Sequence, residues 1–176
     1  QLYRLGVKTL DVVVLTHPDA DHVGGLRSLA RRFPIGTVIC SGAFRRDEDM
    51  AAAIGSASHW IRRVIWVDHR STLSLGKWRF RIDSPGVAES DNDRSLFVRG
   101  ELGQFSVQAS GDAGTEIEEK VLGRSGPWQA DIMLAGHHGS KSSTGEAWMA
   151  AVSPTYLVVS AGRKNRFGHP HPETLA

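Results

Sequence analysis

Residues 12–25 read VVVLTHPDADHVGG, and this stretch constrains the chain more than any other. A uniformly apolar run bounded by polar residues reads as a buried strand. It opens into a loop that places two histidines and two aspartates within six positions, His17 to His22. Carboxylates and imidazoles crowded this closely repel one another or compete for water. A bound cation reverses that cost, so the loop asks for a metal.

The same arrangement recurs downstream. "FSVQAS" leads to Gly111–Asp112, "DIMLAG" to His137 and His138, and "YLVVSAG" to Arg163, Asn165, His169 and His171. Six of the eight histidines fall in these loops; His59 and His69 do not and read as ordinary surface or partly buried residues. A strand end held by the core is a preorganised place for a ligand. Taken singly, each piece has a structural reading. Asp21 could N-cap a helix beginning near Gly24, Asp112 could belong to a Gly-Asp turn, and the histidine pair could be structural. Their convergence is what points to a metal site.

Between these loops the chain alternates strand and helix patterns. "GLRSLARRF" reads as a helix stopped by Pro34, "IGTVIC" as a strand, and "DEDMAAAI" as a short helix with acids at its positive end. "STLSLGKWRFRI" and "RSLFVRGELGQFSVQAS" read as hairpins turning at Gly76–Lys77 and near Gly103. "TEIEEKVLG" and "TGEAWMAAV" read as helices. The expectation is an α/β or α+β fold with a mixed sheet and helices outside. A length of 176 residues suits one domain, 1–176. A net charge of +2 argues against a strongly basic nucleic-acid binder by bulk charge. The pairs Arg31–Arg32, Arg45–Arg46 and Arg62–Arg63 read as solvated surface. The single cysteine, Cys40, excludes an internal disulfide framework and reads as a core residue. No apolar run approaches the roughly 20 residues of a membrane helix, so the chain as given is expected to be soluble, with no lipid-inserting segment.

"LTHPDADHVGG" resembles the His-x-His-x-Asp-His motif of the metallo-β-lactamase superfamily, with Asp19 where the middle histidine usually stands. Together with "NDRSLFVR", "SGDAG", "DIMLAGHHGSKSS" and "NRFGHPHPETL", it resembles the C-terminal hydrolase-like domain of the ComEC family, which takes up DNA in competence. The resemblance implies an αββα sandwich with a two-metal site at one sheet edge. That family's domain opens with strands carrying an Asp-x-Gly motif upstream of the first helix. Nothing before Gln1 supplies them, so the expectation is either a fragment of a larger protein or a domain in which those strands are replaced.

Carried over residue by residue, the resemblance implies that His17 and Asp19 bind one metal and Asp21 and His22 a second. Asp112 bridges them, and His138 or its neighbour His137 completes the site. His169 is a further candidate, as a ligand or as a donor to substrate. Asp21, His138 and His169 are the expected catalytic residues. Ser140, Lys141, Ser142, Asn165, Arg166 and His171 are expected on the substrate side, and Asn92 and Ser95 are expected to support a site loop. The two divalent ions are expected to be manganese by preference, with zinc possible, because Asp19 adds a hard oxygen ligand. Paired cations activate water and clamp the oxygens of a phosphodiester. The glycines after His22 are expected to set a helix N-terminus beside the site as an anion cradle.

The expected activity is therefore that of a metal-dependent DNA nuclease or phosphodiesterase, with single-stranded DNA as partner. The resemblance adds a membrane-channel portion of the same parent protein and an extracytoplasmic tether to the inner membrane. Two alternatives stand beside it: hydrolysis of a small phosphoester such as a phosphorylcholine ester, and a non-catalytic module that guides DNA. Two lookalikes fail. Ser74 to Lys77 spells Ser-x-x-Lys but sits in a hairpin. Asp91 to Ser95 resembles a calcium loop but has Leu96 and Leu102 where the Gly and Glu belong.

Overall fold

A computed structural model describes residues 2–86, 88–124 and 126–175. The chain divides into two compact units, Gln1–Asp68 and His69–Ala176.

The first unit is built on three parallel strands, β1 (Leu10–Leu15), β2 (Ile35–Ser41) and β3 (Ile61–Val67), in that order across the sheet. Parallel neighbours require crossovers, and helices supply them. The helices are α1 (Ala20–Val23), α2 (Leu26–Arg32) and α3 (Glu48–Ala57). β2 is central and buried at every position but Gly36, as a strand covered on both faces should be. β1 lies at the sheet edge, so Val12, Val13 and Val14 are only partly buried and Leu15 alone is fully so. The apolar run that looked uniformly buried is thus an edge strand. Asp47 caps α3 by accepting the Met50 N–H at 2.8 Å, and Met50 and Ala57 turn into a core with Leu26, Ala30, Val38, Cys40 and Phe44. Burial pushes the Cys40 thiol up to about 12, which keeps it protonated and inert.

The basic pairs of this unit have local roles. Arg31 and Arg32 end α2, where the macrodipole favours cations. Arg45 pairs with Asp68 at 2.7 Å, and the Arg63 Nε donates to Thr37 Oγ1 at 2.8 Å. All six arginines of these pairs are exposed.

The second unit is one six-stranded sheet. β4 (Ser71–Leu75), β5 (Trp78–Asp83), β6 (Phe97–Leu102) and β7 (Phe105–Ala109) are antiparallel neighbours. β8 (Ile132–Leu134) and β9 (Tyr156–Val158) continue from β7 in parallel. Both hairpins turn where expected, with Gly76 at φ 58° and Gly103 at φ 62°, conformations that favour glycine. α4 (Thr115–Leu122) and α5 (Glu146–Val152) pack beside each other and join the sheet through a core of Phe97, Val121, Trp128, Met133, Trp148 and Val152. Trp148 stands edge-on to Phe97 with centroids 5.3 Å apart. A last short helix, α6 (Pro172–Leu175), follows a loop from β9.

Candidate functional site

In the first unit, β1 delivers the loop of candidate ligands at its C-terminal end. His17 is completely buried, while Asp19 and Asp21 are exposed and His22 is intermediate. The His17 Nδ1 is hydrogen-bonded to Thr16 Oγ1 at 3.0 Å, which directs Nε2 towards Asp19 Oδ2, 3.8 Å away. The rings of His17 and His22 lie against each other with centroids 4.0 Å apart and planes tilted by 46°. α1 begins immediately after Asp19, whose carbonyl accepts the His22 N–H at 2.8 Å and the Val23 N–H at 2.9 Å. A single helical turn therefore carries Asp21 and His22. Asp21 is inside this turn and does not cap a later helix. A helix does start after the glycines, as expected: α2 opens at Leu26 with Gly25 at its N-cap, and Gly24 and Gly25 separate it from the short turn α1 that carries Asp21 and His22. A Cβ on Gly24 would stand 2.4 Å from the Ala20 carbonyl oxygen, so the end of that turn needs glycine.

In the second unit, three loops leave the ends of β7, β8 and β9. Asp112 follows β7 and is 5% exposed. Its backbone N–H donates to Ser95 Oγ at 3.2 Å, and the Gly114 N–H donates to Asp93 Oδ1 at 3.0 Å. Ser95 thus braces the aspartate loop as expected, and Asp93 shares the task. His137 and His138 follow β8 and both aim Nε2 at Asp112 Oδ2, each at 3.7 Å. Sequence left open which of the two faces inward; both do. Their backbones are left-handed, φ 45° and 57°, and Gly139 follows at 82°. Two successive non-glycine residues in that region are strained, of order 1 kcal/mol or more each, a cost found most often at functional sites. Gly139 is obligatory, because a Cβ there would meet Pro170 Cβ at 2.8 Å. The His138 Nδ1 lies 2.7 Å from the Ser160 carbonyl oxygen. A carbonyl only accepts, so Nδ1 carries the proton and Nε2 keeps its lone pair.

His169 stands beside His137, with centroids 5.8 Å apart. Burial first, then the nearby imidazoles of His137, His138 and His171, hold its imidazole below the usual histidine range, against the pull of Asp112. Asn165 fixes its backbone: the Asn165 Oδ1 accepts the His169 N–H at 2.9 Å, and Nδ2 donates to the carbonyls of Gly162 and His169, each at 2.7 Å. The Asn165 amide is therefore engaged by the chain itself. His171 donates its N–H to the Gly139 carbonyl at 2.8 Å, and the Thr174 hydroxyl bonds the carbonyls of Gly139 and Ser140 at 3.1 Å. The residues after β9 thereby pin the histidine loop. Ser140 and Ser142 share a hydrogen bond between hydroxyls at 3.0 Å, and Lys141 is exposed between them. Thr16, the Ser160 carbonyl and Asp93 are the orienting groups that sequence reasoning missed.

A family model described as the Metallo-beta-lactamase superfamily matches residues 2–163. The chain belongs to the metallo-β-lactamase superfamily. Curated relatives include ComE operon protein 3 of Bacillus subtilis (strain 168), 31% identical over 97% of this chain and 22% of the relative. Competence protein ComA of Neisseria gonorrhoeae is 29% identical over 96% of this chain and 22% of its own length. These matches bear out the resemblance to the ComEC competence family. The chain spans about a fifth of the length of these relatives. Among solved structures, CmlA, a diiron beta-hydroxylase from Streptomyces venezuelae, superposes with a TM-score of 0.52 at 19% identity. It covers 75% of this chain and 26% of that one and shares the fold alone.

The metallo-β-lactamase fold typically binds divalent metals, and each ligand set here has the chemistry for them. The Ser160 contact leaves the His138 lone pair on Nε2, facing a carboxylate, the arrangement by which a metal-binding histidine is oriented. The Thr16 hydroxyl, which can donate or accept, orients the His17 ring through Nδ1 without fixing its tautomer. Among the described residues no helix is long and apolar enough to cross a membrane. His59 and His69 are exposed and belong to neither ligand set.

Proposed function

We propose that residues 1–176 act as one catalytic domain, a divalent-metal-dependent phosphodiesterase that cleaves DNA during competence uptake. The observation that carries this reading is the convergence of the His137 and His138 Nε2 atoms on Asp112, with His138 locked by Ser160. Relatives named for competence, matched across nearly the whole chain, favour DNA as the substrate. His17, Asp19, Asp21, His22, Asp112, His137 and His138 would hold the ions, with manganese preferred and zinc accepted. When bound, two such ions lower the pKa of water and neutralise the phosphate oxygens. Asp21 and His138 keep their positions through α1 and the Ser160 carbonyl. His169, kept neutral by burial, can offer a ring N–H to a phosphate oxygen. Ser140, Lys141, Ser142, Arg166 and His171 supply donors and positive charge on the substrate side, with Asn165 holding the loop that carries them. The parent protein's channel would deliver the strand, on the extracytoplasmic face of the inner membrane.

The test is incubation of end-labelled single- and double-stranded DNA with protein stripped of metal, then reloaded with manganese or zinc. Cleavage should require the metal, and single strands should be cut faster. Asp21→Ala and His22→Ala should each abolish cleavage and lower bound metal, while His59→Ala behaves as wild type. Metal-loaded protein that cuts no phosphodiester, or full activity in either ligand variant, would overturn the reading.

A further inference from the structure

The loop Gly162–His169 displays an aromatic ring that the hydrolytic reading leaves without a task. Phe167 is 64% exposed. A lone exposed apolar residue needs no explanation by itself, but this one is built into place. The Asn165 amide closes the loop on the Gly162 and His169 carbonyls and the His169 N–H, and Gly168 at φ 72° lets the chain turn back. Phe167 lies nearly parallel to the His169 ring, 17° between planes and 5.7 Å between centroids. The Arg166 guanidinium sits 4.8 Å from its centroid. Arg163 and Lys164 are exposed on the same loop. An aromatic ring beside one guanidinium, on a hydrogen-bonded loop that carries two further cations, has the composition of a stacking platform for unpaired bases. The cations take the phosphates and the ring takes a base. A paired base hides its faces inside the duplex stack and cannot use such a ring.

We infer that Phe167 stacks against an unpaired base and so gives this protein a preference for single-stranded nucleic acid. This deepens the phosphodiesterase reading and rests on it for the polymeric substrate. The ring belongs to substrate binding, beside the histidine cluster through His169. Because the Asn165 clamp already orders the loop, little freedom is lost when a strand binds.

The experiment measures fluorescence anisotropy of two labelled phosphorothioate 12-mers that resist cleavage, oligothymidine and an abasic strand with the same backbone. Wild-type protein should bind the thymidine strand about 5- to 150-fold more tightly, the range of one stacked base. Phe167→Ala should bring the ratio near one. Phe167→Leu, which keeps an apolar side chain without a π face, should do the same. Phe167→Trp should keep or raise the ratio. Circular dichroism melts of the variants should match wild type, since the ring is mostly exposed. An undiminished ratio in Phe167→Ala or Phe167→Leu, or equal wild-type affinity for the two strands, would overturn the inference. The ratio needs no turnover, so it reads separately from the cleavage assay that tests the phosphodiesterase.

Discussion

Thr16 shows how much of the proposed metal site lies in groups that are not themselves candidate ligands. Its hydroxyl hydrogen-bonds the His17 Nδ1 and so settles which ring nitrogen turns outward. Orienting partners of this kind typically govern 10- to 100-fold in metal affinity or activity. Thr16→Val, similar in shape but without the hydroxyl, should therefore lower metal affinity by about that factor with the fold retained; a competition titration with a chromophoric chelator would read it. Asp19 makes a different point. An aspartate where the superfamily motif carries histidine replaces a nitrogen ligand with a hard, charged oxygen, and hard ligands favour manganese over zinc in function. Asp19→His should raise the zinc-to-manganese activity ratio of reconstituted protein. An unchanged ratio would mean that Asp19 does not tune the ion. The candidate ligands were legible in sequence because their chemistry is in their own side chains. Thr16 and the Ser160 carbonyl were not, since hydroxyls and carbonyls occur everywhere and only the folded path selects one.

At the scale of elements, the legible parts were those whose signal is local. Both hairpins turned at their glycines, and α3 began at its acidic cap. β3 was passed over because Arg62–Arg63 interrupts its apolar run, while its pairing partner is 26 residues away in register, Thr37 beside Arg63. α4 was legible as a helix but its buried acid was not. Glu118 in "TEIEEKVLG" is completely buried and accepts the Thr144 N–H at 2.9 Å and the Gly145 N–H at 2.8 Å, which ties α4 to the loop after the histidine pair. Burial pushes its carboxyl up to about 7, against the pull of those two donors. The folded state then holds the proton more tightly than the unfolded chain, whose glutamate titrates near 4.5. Stability from this group is complete below pH 4.5 and is lost as pH rises through 7, by roughly 3 kcal/mol in all. Glu118→Gln removes the titration, though its amide faces one backbone donor with another. Denaturant unfolding at several pH values should show the wild type losing ground to Glu118→Gln between pH 5 and 8. A constant difference across that window would mean Glu118 is ionised throughout.

Across the whole molecule the charge is nearly balanced, 21 Lys and Arg against 19 Asp and Glu. A protein that wraps nucleic acid by bulk attraction needs a large positive excess; this one cannot rely on it. The basic pairs of the first unit are placed at a helix end, against Asp68 or against Thr37. Arg163, Lys164 and Arg166 are different, gathered on one clamped loop next to His169. If they are the main phosphate contacts, binding should be electrostatic but shallow in its response to salt. Three contacts on a single strand release counterions with a slope of log affinity against log salt of about −2. A general polyanion binder with ten contacts would show a slope of about −7 by the same rule. Replacing all three by Ala should bring the slope close to zero while bound metal stays constant, because none of them is a candidate ligand. Anisotropy titrations of a labelled single strand between 50 and 200 mM salt cover the range in which such slopes are measured. A wild-type slope much steeper than −2 would place phosphate contacts elsewhere on the surface. An unaltered slope in the triple variant would reduce these three residues to solvation of their loop.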